Sequence, residues 1–291
     1  MPSTYSPLRY PGGKTKFYSY VRELLKCNDL LGETYIEPFA GGAGLALKLL
    51  LRNDVERIVI NDLDPAIYIF WDSVLNRTEA FCNLINNAVL TPSEWKKQRD
   101  IYYAQDLTHP LDLAFATFYL NRTNISGVIK GGIIGGQDQG GRYRIDARFN
   151  KNTLTDKVMR IAARKGQIVL LNQDAKELLQ PSHLRRYYKT FLNLDPPYVK
   201  KGAQLYKNAF SARDHEELCN LISGCKRKWI VTYDICPLIS KLYHHYRSSY
   251  LDVTYSIKAS KKAQEYIFFS DMLELPNSIE LRDKISDIEI A

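Results

Sequence analysis

Several arrangements that would anchor a metal, a disulfide or a membrane are missing from this chain of 291 residues. Its five cysteines (Cys27, Cys82, Cys219, Cys225 and Cys236) follow neither a zinc spacing nor a disulfide framework, and read as reduced, buried small hydrophobes. His244 and His245 lack ligand spacing, so no metal is expected. No apolar run approaches the ~20 residues of a membrane-spanning helix, and residues 1–5 lack the basic-then-apolar pattern of a signal peptide. The expected location is the cytoplasm, with no membrane partner. Two nucleotide motifs are also incomplete. Gly13-Lys14-Thr15 looks like the end of a phosphate-binding loop, but Leu8 stands where that motif needs glycine and no strand precedes it, which argues against a nucleoside triphosphatase. Gly42-x-Gly44 is followed by Leu47 where a dinucleotide fingerprint has its third glycine.

What is present is a large core and an uneven positive charge. Hydrophobic residues make up 45% of the chain, enough for one large α/β domain with an insertion or two modest domains. A net charge of +8 favours a polyanionic partner such as nucleic acid. The excess is concentrated: Arg122, Lys130, Arg142, Arg144, Arg148, Lys151, Lys157, Arg160, Arg164 and Lys165 are opposed only by Asp138, Asp146 and Asp156.

The hydrophobic pattern opens as a doubly wound unit. Thr34-Tyr35-Ile36-Glu37 reads as a strand, 38–44 as a glycine-rich turn and 45–51 as an apolar helix. A second strand, Arg57-Ile58-Val59-Ile60-Asn61, ends in Asp62, and an acid there suits the two ribose hydroxyls of an adenosyl ligand. The alternation then gives way to helices around 79–85 and 111–120. Glycines at 127, 131, 132, 135, 136, 140 and 141 mark a mobile basic loop able to follow a DNA groove. The catalytic unit is accordingly placed at 1–72 and 151–291, with a helical insertion at 73–150. The α/β pattern resumes with a helix near 156–164, a third strand at 167–172 before Asp174, and a fourth strand ending at Asp195. Asp214-His215 reads as a helix cap, 228–233 as a fifth strand, and 251–257 with 266–269 as a terminal hairpin.

Asp195-Pro196-Pro197-Tyr198 is the most informative stretch. Two prolines remove two donors and fix φ, so the buried strand must stop there. Each proline also pushes the residue before it out of the α region, leaving a stiff extended arm. A carboxylate, a carbonyl and a phenol ring are thus presented together at the carboxyl end of a strand, where open α/β sheets bind ligands. That set suits an exocyclic amino group such as adenine N6, whose lone pair is delocalised into the ring. Asp195 and the Pro196 carbonyl can accept its two hydrogens and localise the lone pair.

Arg9-Tyr10-Pro11-Gly12-Gly13-Lys14, the run 37–44, Asn61-Asp62-Leu63-Asp64, Phe118-Tyr119-Leu120-Asn121-Arg122 and Asp195-Pro196-Pro197-Tyr198, in this order, resemble the motifs of the Dam-like adenine-N6 DNA methyltransferases. These form the alpha group with the Asp-Pro-Pro-Tyr (DPPY) motif. The resemblance implies a Rossmann-like S-adenosylmethionine-dependent methyltransferase fold. Its mostly parallel seven-stranded sheet would run 3-2-1-4-5-7-6, with a terminal β-hairpin and an inserted basic target-recognition domain. It implies S-adenosyl-L-methionine as methyl donor, surrounded by Tyr10, Lys14, Glu37, Phe39, Gly41, Gly44, Asp62, Asp174 and Asp195. Asp195, Pro196, Pro197 and Tyr198 are the implied catalytic residues, with Tyr198 stacking on a flipped adenine. Toward double-stranded DNA it places Arg9, Asn121, Arg122, Asn124, Ser126, Lys130, Arg142 and Arg144. GATC is the default site, but Lys130 stands where readers of GATC carry arginine, and lysine lacks the planar fork for guanine, so a different short site is nearly as open. The expected enzyme is a monomer of a prokaryotic or phage-infected cell, associated with the nucleoid, with or without a companion restriction endonuclease. Methylation of RNA adenine or cytosine N4, and an inactive nucleic-acid-binding module, remain as alternatives.

Overall fold

The five parallel strands assemble into one sheet because their central residues are apolar on both faces, the pattern of a parallel sheet covered on two sides. The computed structural model describes residues 5–9, 14–200, 210–256 and 260–276. Its strands are β1 (Thr34–Glu37), β2 (Arg57–Asn61), β3 (Ile168–Leu171), β4 (Thr190–Leu194), β5 (Lys228–Asp234), β6 (Arg247–Ser256) and β7 (Ser260–Phe269). Their spatial order is β3-β2-β1-β4-β5-β7-β6, as expected. The first five run parallel, while β7 lies antiparallel to both β5 and β6. Alternate side chains feed two cores: Tyr35, Ile58, Phe191 and Ile230 one face, Ile36, Val59, Leu192 and Val231 the other.

β1 pairs with β2 on one side and β4 on the other, so the winding reverses between β1 and β4. The crevice beyond their carboxyl ends is the switch point where such sheets bind ligands. On one face lie α1 (Tyr18–Cys27) and α2 (Gly44–Leu51). The other is covered by α8 (Ala175–Leu178), α9 (Pro181–Leu184), α10 (Ala212–Ser223) and α11 (Pro237–Leu242). Ser211 and Asp214 close a capping box at the start of α10. His215 does not cap: it is buried, with Nδ1 at 2.9 Å from the Tyr233 hydroxyl, because it falls on the apolar face of the helix.

Between β2 and β3 run α3 (Pro65–Asn76), α4 (Thr78–Asn86), α5 (Pro92–Ala104), α6 (Pro110–Thr123) and α7 (Lys151–Ala162). The sequence-derived boundary after residue 72 falls inside α3. These helices share one apolar core with the sheet, through Phe70, Phe81, Phe118 and Phe149 among others. The glycine-rich stretch, read from sequence as a mobile loop, has anchoring contacts at several points. Ile133, Ile145 and Phe149 are buried, and Gln139 Nε2 donates to the Ile134 carbonyl while its Oε1 accepts the Ile145 N–H.

Candidate active site

Asp195 follows the last residue of β4, where the prolines end the ladder. Its Oδ1 is the meeting point of three donors. The Thr232 hydroxyl donates to it at 2.7 Å, the Tyr198 hydroxyl at 3.1 Å, and Lys14 Nζ lies 3.2 Å away. Lys14 is itself buried, donating to the Tyr198 hydroxyl at 2.6 Å and to Glu265 Oε2 at 2.7 Å. Burial alone would drive its ammonium toward the neutral form. The carboxylates of Asp195 and Glu265 outweigh that and hold its pKa above the ordinary lysine value. Pro196 is buried and Pro197 half-buried. Beyond them Asp234 accepts the backbone N–H groups of Val199 at 3.0 Å and Lys200 at 2.8 Å, securing the far end of the motif.

The neighbouring turn is built from β1 and α2. Gly41 and Ala43 both take left-handed φ, 45° and 46°, which tightens the backbone before the helix. Trp71 Nε1 of α3 donates to the Gly41 carbonyl at 2.9 Å and holds the turn from behind. Asp62, at the end of β2, accepts Gly41 N–H on Oδ2 at 2.8 Å and Asp64 N–H on Oδ1 at 2.9 Å. Burial pushes its carboxyl up to about 6 against the pull of those two amides. Asn61 stitches the strand ends together, donating to the carbonyls of Pro38 and Gln173. Asp174, after β3, caps α8 by accepting the Lys176 N–H. Phe39 is half-exposed at the rim with its ring edge-on to Phe210, and Gly44 begins α2.

Glu37 sits deeper. Its Oε1 accepts from the Tyr35 hydroxyl at 3.2 Å and from Ala46 N–H at 3.1 Å, tying β1 to the first turn of α2. Burial raises its carboxyl to about 8. Tyr10 lies outside the described residues. Tyr198 is only 6% exposed, its ring beneath the Lys14 ammonium at 5.3 Å, so in this structure the ring is turned inward and away from solvent.

The basic side of the insertion is organised by two buried asparagines. Asn121 Nδ2 donates to the carbonyls of Arg9 and Gly127 while its Oδ1 accepts the Arg9 N–H at 2.7 Å. Asn124 accepts Trp95 Nε1 at 2.6 Å and donates to the carbonyls of Val128 and Ile129. Both are fully buried, so neither amide reaches the surface as a DNA contact would require. They shape the loop from within, through the carbonyls of Gly127, Val128 and Ile129. Ser126 and Gly127 have left-handed φ of 58° and 77°, and a Cβ at 127 would lie 2.2 Å from the Arg9 carbonyl oxygen. Lys130, Arg142 and Arg144 are exposed. Arg9 and Arg122 are half-buried and gather with Arg148 and Lys157. Arg122 donates to the carbonyls of Pro7 and Arg148, Arg9 to that of Asn124, and Lys157 to that of Ser6.

The structure therefore brings Lys14 and Asp195 together with Tyr198, places Asp62 and Gly41 side by side, and sets the basic loop apart from both. Thr232, Asp234 and Glu265 were not singled out from sequence. The i, i+2 pair at the end of β5 was a usable signal for the first two; nothing local marked Glu265. Among the described residues no group of His, Cys, Asp or Glu could hold a metal ion, and no helix is long and apolar enough to cross a membrane.

The mostly parallel seven-stranded sheet, with β7 antiparallel between β5 and β6, is a Rossmann-like fold of the S-adenosylmethionine-dependent methyltransferase type. A family model of the D12 class N6 adenine-specific DNA methyltransferases matches residues 10–257, and the chain belongs to that family. It is 22% identical over 257 residues to the type II methyltransferase M.CviBI of Paramecium bursaria Chlorella virus NC1A, spanning 86% of this chain and 91% of that relative. It is 27% identical over 101 residues to the type II methyltransferase M.MjaIII of Methanocaldococcus jannaschii, which covers 33% of this chain and 35% of the relative. Among solved structures, one provisionally described as an RNA methyltransferase from Pyrococcus horikoshii is similar at a TM-score of 0.40 and 10% identity, over 94% of this chain and 89% of that one.

Proposed function

We propose that the protein methylates the N6 amino group of an adenine flipped out of a short duplex site, with S-adenosyl-L-methionine as donor. The observation that carries this reading is the convergence of Lys14, Tyr198 and Thr232 on one oxygen of Asp195 at the switch point, in a chain of the D12 family. The donor set fits an adenosyl group. Each Asp62 oxygen takes one backbone amide and keeps a lone pair for a ribose hydroxyl, and the Gly41 turn lets the backbone come close. Phe39, Gly44 and Asp174 rim the same crevice; Lys14 and Tyr10 would serve its methionine end, with Glu37 as the buried support of the turn.

S-adenosyl-L-methionine, when bound, supplies an electrophilic methyl carbon; the N6 lone pair takes it while the carbon–sulfur bonding pair stays with sulfur, leaving S-adenosylhomocysteine. Asp195 and the Pro196 carbonyl accept the two amino hydrogens, which returns the lone pair from the ring to nitrogen. Asp195 is then the acceptor for the surplus proton of the methylated nitrogen. Stacking of the base on Tyr198 requires that ring to swing out from beneath Lys14. The insertion, residues 73–150, is the target-recognition unit: Arg9 and Arg122 face the phosphates, and Ser126, Lys130, Arg142 and Arg144 approach the grooves. GATC remains the default site, and action as a monomer in the cytoplasm, with or without a partner nuclease, is part of the same reading.

The test is to incubate the protein with tritiated S-adenosylmethionine and either duplex DNA or RNA, then identify the labelled base. Label in DNA N6-methyladenine is expected; label only in RNA or in cytosine would overturn the reading. Asp195→Ala should lower turnover by roughly a thousandfold or more while the fold is retained, since both positioning and electrostatics are lost. Near-normal turnover in that variant would remove Asp195 from the mechanism.

A further inference from the structure

We propose that Thr232 is a positioning residue that decides which oxygen of Asp195 meets the substrate amino group. The inference rests on the function proposed above and adds a residue to it. In the β4–β5 register Leu194 lies opposite Val231, so the next position on each strand sets Thr232 beside Asp195. Thr232 is 2% exposed, and its hydroxyl has one hydrogen to give. That hydrogen goes to Asp195 Oδ1 at 2.7 Å; the Leu194 carbonyl, at 3.5 Å, is the weaker alternative.

Tyr198 and Lys14 address the same oxygen, at 3.1 and 3.2 Å. Among the described residues no donor reaches Oδ2. The carboxylate is therefore asymmetric: Oδ1 is held from three sides and Oδ2 is left as the acceptor. Of the three groups holding Oδ1, Thr232 is the one on the sheet itself. Tyr198 belongs to the motif it would be fixing, and Lys14 reaches in on a long flexible stem. A β-branched side chain on a central strand has little χ1 freedom, so its hydroxyl direction is set by the backbone. Two residues on, Asp234 holds the backbone at 199 and 200, so β5 grips the motif on both sides with side chains of one face. With the Thr232 bond removed, the carboxyl can rotate about its last torsion and the accepting oxygen is no longer fixed.

The experiment compares Thr232→Val, Thr232→Ser and Asp195→Ala with the wild-type protein in single-turnover methylation of a duplex oligonucleotide. The duplex carries the site found by sequencing modified bases. Thr232→Val keeps shape and loses the donor. Its methyl-transfer rate should fall roughly 10- to 100-fold, as for other small misplacements of a reacting group, with KM for S-adenosylmethionine and for DNA within about twofold of wild type. Thr232→Ser keeps the donor and should restore most of the rate. A Thr232→Val rate within about twofold of wild type, while Asp195→Ala is inactive, overturns the positioning role and leaves the proposed function intact. Equal loss in Thr232→Ser and Thr232→Val also overturns it, because the methyl and not the hydroxyl would then matter. Near-normal turnover in Asp195→Ala defeats the proposed function itself. Should Thr232→Val fold poorly by its urea midpoint, Thr232→Ala set against Thr232→Ser gives the same discrimination.

Discussion

Two groups of charge in the molecule are balanced in opposite ways. Around Lys14, one ammonium meets the carboxylates of Asp195 and Glu265 and the Tyr198 hydroxyl, all within 3.2 Å. Around Arg122 gather the cations of Arg9, Arg148 and Lys157. Burial, then Arg9 and Arg148, push the Arg122 guanidinium down to about 9, and burial with Arg122 pushes Lys157 down to about 8. Arg9, Arg122 and Arg148 form no ion pair among the described residues; Arg9 and Arg122 donate to backbone carbonyls, and the Arg148 guanidinium lies over the Tyr143 ring. A carbonyl dipole offsets part of a buried charge and leaves the mutual repulsion in place. The first cluster is completed by the chain itself. For Arg9 and Arg122 in the second, the proposed function supplies an anion, the nucleic-acid phosphate.

The contrast can be broken from either side. Lys14→Met takes the Lys14 ammonium away from buried Glu265 and half-buried Asp195. Removing one partner of a buried pair costs about 3–5 kcal/mol, so the urea midpoint should drop sharply. A midpoint close to wild type would mean that the cluster is not the closed unit described. Arg122→Met attacks the open cluster. Stability of the free protein should change by less than about 1 kcal/mol, because lost carbonyl bonds and relieved repulsion oppose each other. DNA affinity at low salt should fall, and the slope of log Kd against log salt should shrink by about one phosphate contact. An unaltered salt slope would detach Arg122 from the DNA backbone.

Glu37 sharpens the comparison as a buried acid with no cation paired to it among the described residues. Its carboxyl is raised to about 8 in the folded chain, from about 4.5 when solvated. Between those values the folded state holds a proton that the unfolded state has lost, so stability falls as pH rises through that window. Glu37→Gln keeps an acceptor and cannot ionise; the decline in Tm from about pH 5 to 8 should flatten. The same decline in both proteins would show that Glu37 is not its source. The smallest effect is expected at Lys130, exposed and outside both clusters. Lys130→Ala should relax the choice of sequence in a genome-wide map of modified bases while cofactor affinity is unchanged. An identical map would end its role as a base reader.

The first strands, the glycine turn, Asp62 and the Asp195 strand end were legible in the sequence because each is a local pattern: a period, a tight turn, a proline stop; the strand order came only from the resemblance to a known family. The partners of Lys14 were not. Glu265 lies 251 positions away on an antiparallel strand, and only the pairing of β7 with β5 brings it in. Asn121 and Asn124 misled for a related reason. An amide between cationic and glycine-rich segments has the chemistry of a base reader. Helix α6 is buried almost all round, however, and its end turns those amides inward to backbone groups. Residue type was readable there, and direction was not.

Asn121 fastens Arg9 to Gly127, and the position of Gly127 admits no side chain. Arg9 in turn precedes Lys14 by five positions. Under the proposed function, the recognition loop and the catalytic carboxylate share a tether, whose full extension is about 18 Å at 3.6 Å per residue. On that reading the loop follows DNA only as far as that length allows before it draws on the lysine that holds Asp195. The reach of recognition is thus limited by the chemistry it serves.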